Sequence, residues 1–132
     1  MKKILIVISI FLLILVIILG IRLITNPLVQ SEEEIRENML KETPMGTQME
    51  DVIEFLEGNE EWEIKSIRYE NGFYHQGITP RREIGEKSIR VHMGYYRAFY
   101  KFFLRTDVSL YYGFDENGEL IEIWVRKMIG SL

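Results

Sequence analysis

The feature that most constrains this chain is an uncharged run at residues 4–21, ILIVISIFLLILVIILGI, in which only Ser9 and Gly20 are not strongly hydrophobic. As an α-helix it would reach roughly 27 Å, about the hydrocarbon thickness of a bilayer. A core helix in a protein of 132 residues would carry a polar stripe, and this run has none. A cleaved signal peptide has a shorter apolar region followed by a small-x-small site. Here "LGIRLITN" closes the run, with Gly20 small and Ile18 a poor partner for it. The pattern predicts an uncleaved signal anchor over residues 1–25, with the lipid bilayer as the partner of residues 4–21. Lys2 and Lys3 precede the span and Arg22 follows it. The excess of basic residues on the short side predicts a single-pass protein of the cell membrane, with a cytoplasmic N-terminus and residues 31–132 extracytoplasmic.

Beyond residue 30 the composition changes. That part holds 13 basic and 20 acidic residues, a net charge of −7. Such a balance argues against nucleic-acid binding, which needs a basic face, and against lying flat on anionic lipid. The chain has no cysteine, which excludes a lipid-modified cysteine, a disulfide and thiolate chemistry.

The sequence divides readily. Residues 26–30 read as a stalk, because Asn26-Pro27 ends a helix arriving from the membrane. Ser31 with Glu34 forms a capping box, and a short helix is predicted over 31–42 with Ile35, Met39 and Leu40 on its apolar face. Pro44 and Gly46 then break the chain. Thr47 with Glu50 predicts a second capped helix, on which Met49, Val52, Ile53 and Leu56 repeat at helical spacing until Gly58-Asn59. Four alternating segments follow: "WEIKSIRYE", whose change of phase between Ile64 and Ile67 predicts a bulge, "KSIRVHMGY", "DVSLYYGF" and "ELIEIWV". In the last, Ile121, Ile123 and Val125 are the predicted inward row. "DENG" joins the last two as a hairpin turn. The expected fold is α+β: two short helices covering one face of a four-stranded antiparallel meander, as a single domain over 31–132.

The order of elements, with "TPMGTQMEDVIEFL" on the second helix and the hairpin "YGFDENGELIEIWV", resembles the SmpA/OmlA outer-membrane lipoproteins and the beta-lactamase inhibitory proteins. In those families a helix likewise starts at a Gly-x-x-x-x-x-Val pattern, here Gly46 and Val52. The chain lacks the lipid-attachment cysteine of the first family and has one unit where the second has two. Over about residues 30–128 it is also similar to a group of uncharacterised bacterial membrane-anchored proteins, through stretches such as "TPMGT", "KSIRVHMGY" and "GFDENGELIEIWV". The resemblance implies the fold and raises the expectation of protein binding; it implies no activity.

Catalytic chemistry finds little footing. His75, in the loop "NGFYHQGITPRR", and His92, on the strand face opposite Val91 and Met93, lack metal-ligand spacing. Ser66, Ser88 and Ser109 sit in strands, away from any nucleophile-type turn. "DENGE" has the alternation of a calcium loop without its glycine, and Glu60, Glu61 and Glu63 read as a solvated junction. Gly46 lacks the lysine of a phosphate loop and is followed by Glu50 and Asp51. No cofactor, metal or catalytic residue is expected.

The segment "GYYRAFYKFFLR" (94–105) differs from everything around it. Six of the 16 aromatic residues fall within 95–103, interleaved with Arg97, Lys101 and Arg105. Tyr95, Phe99, Phe102 and Phe103 can pack under a sheet edge, or the segment can form a contact surface of the kind rich in aromatics and arginine. The expected partner-binding residues are Tyr96, Arg97, Phe99, Tyr100, Lys101, Phe102 and Arg105, with Arg81 and Arg82 of "TPRRE" supplying further charge. The function expected is a membrane-anchored, non-enzymatic module that binds another envelope protein. The alternative is an envelope sensor or accessory subunit holding a small ligand between helices and sheet.

Overall fold

The computed structural model describes residues 1–24, 26–97 and 104–131. Helix α1 (Lys2–Ile24) carries the apolar run; its Lys2–Ile21 stretch is long and apolar enough to cross a membrane, and none of it is buried by the rest of the chain. A 3-10 turn follows (η1, Pro27–Val29), started by the Asn26 side chain, whose Oδ1 accepts from the Leu28 N–H. Then come α2 (Glu32–Glu42), α3 (Met49–Glu57) and six strands: β1 (Glu63–Arg68), β2 (Phe73–His75), β3 (Arg82–Ile84), β4 (Lys87–Tyr96), β5 (Leu104–Phe114) and β6 (Leu120–Ser131). The fold is α+β. Its main sheet has the order β1-β4-β5-β6, antiparallel throughout, and β2 and β3 pair separately as a two-stranded ribbon.

The helix starts follow from local hydrogen bonding. Ser31 caps α2 by accepting from the Glu34 N–H at 3.1 Å, and three acids occupy the positive end of the helix. The expected cap of α3 is corrected by one residue. Its N-cap is Gln48, which makes no side-chain capping bond, while the Thr47 hydroxyl turns back to donate to the Pro44 carbonyl at 2.6 Å. The Thr47 backbone is tied to β6: its carbonyl accepts from the Leu120 N–H at 2.9 Å, as Gly46 donates to the Leu120 carbonyl at 2.8 Å. The first N–H of α3, on Met49, is satisfied by the Gly118 carbonyl of the "DENG" turn at 2.8 Å. The hairpin turn therefore does the capping that the sequence assigned to Thr47 and Glu50.

Alternation places the core. Ile89, Val91 and Met93 of β4, Val108, Leu110, Tyr112 and Phe114 of β5, and Ile123 and Val125 of β6 point to one face and are buried there with Ile35, Met49, Val52 and Leu56 of the helices. The bulge expected in β1 lies between Ile64 and Ser66, and keeps both Ile64 and Ile67 against the core. A second register shift at Gly113/Phe114 pairs Phe114 with Leu120, so Leu120 is buried and Ile121 is exposed, reversing the expected role of Ile121.

Two further differences bear on function. Within the expected loop at residues 71–82, β2 and the start of the ribbon form; its connection contains a cis Thr79–Pro80 bond. The segment at 94–105 is strand at both ends, since β4 runs to Tyr96 and β5 starts at Leu104. Gly94 takes a positive φ of 134° at a bulge, and a side chain there would press on Leu28 of η1.

Tyr112 is the one buried side chain among the described residues with an unpartnered polar atom. Burial pushes its hydroxyl far above the ordinary tyrosine range, and the Thr43 hydroxyl only partly offsets this. The Tyr112 hydroxyl makes no well-formed hydrogen bond among the described residues, and Thr43 already donates to the Met39 carbonyl at 2.8 Å, so Thr43 acts as a polar neighbour rather than a full partner. Because the apolar span of α1 is unburied, a fragment of residues 26–132 keeps the whole described core. In that fragment Tyr112→Phe is expected to leave stability unchanged or raise it by up to about 1 kcal/mol. Leu110→Ala should lower it by about 2–5 kcal/mol. Denaturant unfolding measures both; a marked loss in Tyr112→Phe would mean that the hydroxyl has a partner.

Candidate functional site

The sheet face away from the helices is built by the other half of the alternation. Ser66, Arg90, Tyr111 and Trp124 lie in one row across β1, β4, β5 and β6, because the register pairs them in turn. The ribbon folds back over this row. Phe73 is 5% exposed and packs on Tyr111 (ring centroids 5.7 Å apart) and Trp124 (6.1 Å); His75 stacks on Trp124 at 4.3 Å. Tyr111 and Trp124 are 4.9 Å apart beneath them. The His75 ring is oriented by the Gly77 N–H, which donates to Nδ1 at 3.0 Å. The ribbon sits this low because Gly113 of β5 has no side chain: a Cβ there would come within 3.0 Å of the Phe73 ring and 3.2 Å of the Ile84 side chain, while Gly72 lets β2 close on the Ile84 and Gly85 carbonyls at the end of β3. The Gly72 N–H is taken up by the Glu83 carboxylate at 2.8 Å.

Between ribbon and sheet lies a groove of about 230 Å³. Its walls carry four arginines: Arg68 from β1, Arg90 from β4, Arg126 from β6 and Arg81 from the ribbon connection. Phe73, Tyr74 and Tyr111 give it aromatic sides, and Ser66, Ser88 and Gln76 add neutral polar groups. No acidic side chain lines it. Three of the guanidiniums sit over rings: Arg81 over Tyr74 at 5.0 Å, Arg90 over Tyr111 at 5.7 Å, and Arg126 over Trp124 at 5.7 Å. Among the described residues none of the four has a carboxylate within ion-pair distance, although 20 acids are available in the chain. The arrangement is suited to hold an anion: it offers forked donors, fixed planes and no competing carboxylate.

The expected partner-binding residues are distributed differently. Arg81 lines the groove, and Arg82 is exposed on β3 opposite His75. Tyr96, Arg97 and Arg105 stand at the other end of the sheet. Phe99, Tyr100, Lys101 and Phe102 lie outside the described residues, as does Phe103. Tyr96 is half-buried beneath Lys127, whose ammonium is 5.1 Å from its ring and 3.3 Å from its hydroxyl. Lys127 Nζ also donates to the Gln30 carbonyl, and its backbone N–H donates to Glu32 at 3.1 Å, so the stalk is pinned to β6 here. Tyr95, expected as a core candidate, is 53% exposed, under the Arg105 guanidinium at 5.1 Å.

His92 is not isolated. Its Nε2 is 3.1 Å from Asp107 Oδ1, and Arg105 Nε donates to the other oxygen of Asp107 at 3.2 Å. Ser109 faces His92 across the ladder, but no hydrogen bond links its hydroxyl to the ring, and the cluster lies outside the groove lining. Among the described residues no three of His, Cys, Asp and Glu converge as a metal site. Arg68, Arg90, Arg126 and the His75–Trp124 stack escaped sequence reasoning. The available signal was weak: Arg90 and Arg126 are the outward residues of strands whose inward rows are plainly apolar.

No family model, no curated protein and no solved structure matches the chain. The likeness to the lipoprotein and inhibitor families thus carries no functional argument, and the site's chemistry stands alone.

Gly113→Ala should press on Phe73 and Ile84 and lift the ribbon off Trp124. We expect a loss of roughly 1–3 kcal/mol in stability and, in a Trp62→Phe background, a red shift of Trp124 emission; unchanged emission would mean that the ribbon does not depend on this close approach.

Proposed function

We propose that the protein is a membrane-anchored, non-enzymatic binding module that meets an acidic partner, protein or ligand, on the outer side of the cell membrane. The observation that carries this reading is the groove of four arginines left without carboxylates on a domain of charge −7. Like charges gathered in this way repel one another, and a negatively charged partner removes that cost. The apolar helix α1 supports anchoring, and the two lysines before it support the orientation. The stalk docks at Gly94 through Leu28, seven residues from Ile21, so that end of the sheet stays within about 25 Å of the end of the span. Arg97, exposed there, adds a basic charge suited to an anchored partner or to the headgroup layer, while Arg105 is paired with Asp107.

A small-ligand reading is favoured on the same face rather than between helices and sheet. Met49, Val52, Leu56, Leu110 and Tyr112 are all at most 1% exposed there and fill the helix–sheet interface. In the groove a compact ligand would find both donors and rings.

Tyr74 is 50% exposed at the lip of the groove. A photo-crosslinking residue at this position is expected to trap a discrete partner in intact cells, and the adduct should vanish when Arg90→Glu and Arg126→Glu are combined. An adduct that survives both charge reversals would overturn the assignment of this face.

A further inference from the structure

We infer that the groove between ribbon and sheet is a receptor for phosphoryl groups, and takes a ligand carrying two or more phosphate charges. This rests on the binding-face reading above and adds the chemistry of the ligand. Four arginines from four separate segments line a space of about 230 Å³. That is below the roughly 300–1,000 Å³ of pockets for drug-sized molecules, and suits a compact anion or one projecting group. A single carboxylate would neutralise one of the four cations and leave three facing each other. A diphosphate or a pair of neighbouring phosphates supplies the missing charge, and its tetrahedral oxygens accept from several arginine forks at once.

The neutral groups agree with this. Ser66 and Gln76 offer donors at the groove wall, while the Ser88 hydroxyl is already committed to the Asn71 carbonyl at 2.9 Å. Divalent cations are repelled by the same charges, and an uncharged sugar or peptide would gain nothing from them. The ring contacts hold three of the guanidiniums in place before a ligand arrives, which lowers the ordering cost of binding. The acid nearest in the ribbon, Glu83, is engaged by the Gly72 N–H. Along β4, Arg90 is six residues from Tyr96, about 20 Å from the end where the stalk docks. That distance favours phosphate borne by a soluble molecule or a polymer over a headgroup of the protein's own leaflet.

The test is calorimetric titration of residues 26–132 with inorganic pyrophosphate, with citrate as a carboxylate of comparable charge at matched ionic strength. Pyrophosphate is expected to bind at one site and more tightly than citrate. Arg90→Lys, which keeps the charge but loses the fork, and Arg126→Ala should each weaken it by about tenfold or more. Lys65→Ala, outside the groove, should leave it unchanged. The unliganded unfolding midpoint of each variant confirms that it is folded. Equal binding of citrate, binding indifferent to Arg90 and Arg126, or no binding of pyrophosphate would overturn the inference. If the Tyr74 adduct remains arginine-dependent while pyrophosphate fails, the ligand class falls and the binding face stands; if both fail, both readings fall. Phosphatidic acid vesicles against phosphatidylcholine vesicles separate the sources. Arginine-dependent vesicle binding assigns the phosphoryl group to a lipid headgroup, and pyrophosphate binding alone assigns it to a soluble or polymer-borne phosphate.

Discussion

The structure depends on the two-sided ladder of β5, which pairs with β4 along one edge and β6 along the other. Its inward residues, Val108, Leu110, Tyr112 and Phe114, are completely buried and form the floor on which α3 rests. Its outward residues, Asp107, Ser109 and Tyr111, sit among the charged and aromatic groups of the opposite face. A shift of one residue in either register would exchange the two sets. The core and the candidate site are therefore fixed by the same backbone pairing, and neither could be moved without the other.

The helices and the hairpin turn reinforce that pairing. Gly46 and Thr47 bond to Leu120, and Met49 bonds to Gly118, so the start of α3 is tied to the start of β6. On the other side of α2, Arg36 forms an ion pair with Glu122 at 2.7 Å and donates to the Ile123 carbonyl at 2.9 Å. The pair is about one-third exposed, so its value lies in orienting α2 on the edge strand more than in net stability. With one face closed by helices, the ribbon β2–β3 can cover only the other. It does so incompletely, leaving a groove instead of a second core.

Much of the fold could be read along the chain. Residues 31–42 and the Met49, Val52, Leu56 spacing marked the helices, and alternation marked four strands, including the bulge after Ile64. What escaped was set by contacts between distant segments. Thr47 had the right side chain for a cap, yet its backbone was claimed by Leu120, 73 positions on in the numbering. Ile121 matched the alternation, yet the Gly113/Phe114 shift turned it outward. The site was less readable still. Arg81 was singled out for its charge, but Arg68, Arg90 and Arg126 each look like an ordinary solvent-facing residue in its own strand, and the weight placed on 94–105 came from local composition.

By itself, then, the sequence determined the apolar span, the excess of acid beyond it, the absence of thiol chemistry and the α+β order of elements. These follow from composition and from periodicities of two and 3.6, which are properties of neighbouring residues. Tertiary structure alone decided that four arginines from β1, β4, β6 and the ribbon line one groove, three of them over aromatic rings, with no carboxylate in its lining. Convergence of that kind depends on strand order, register and the close approach of the ribbon to Gly113, and those are relations between residues far apart in the chain.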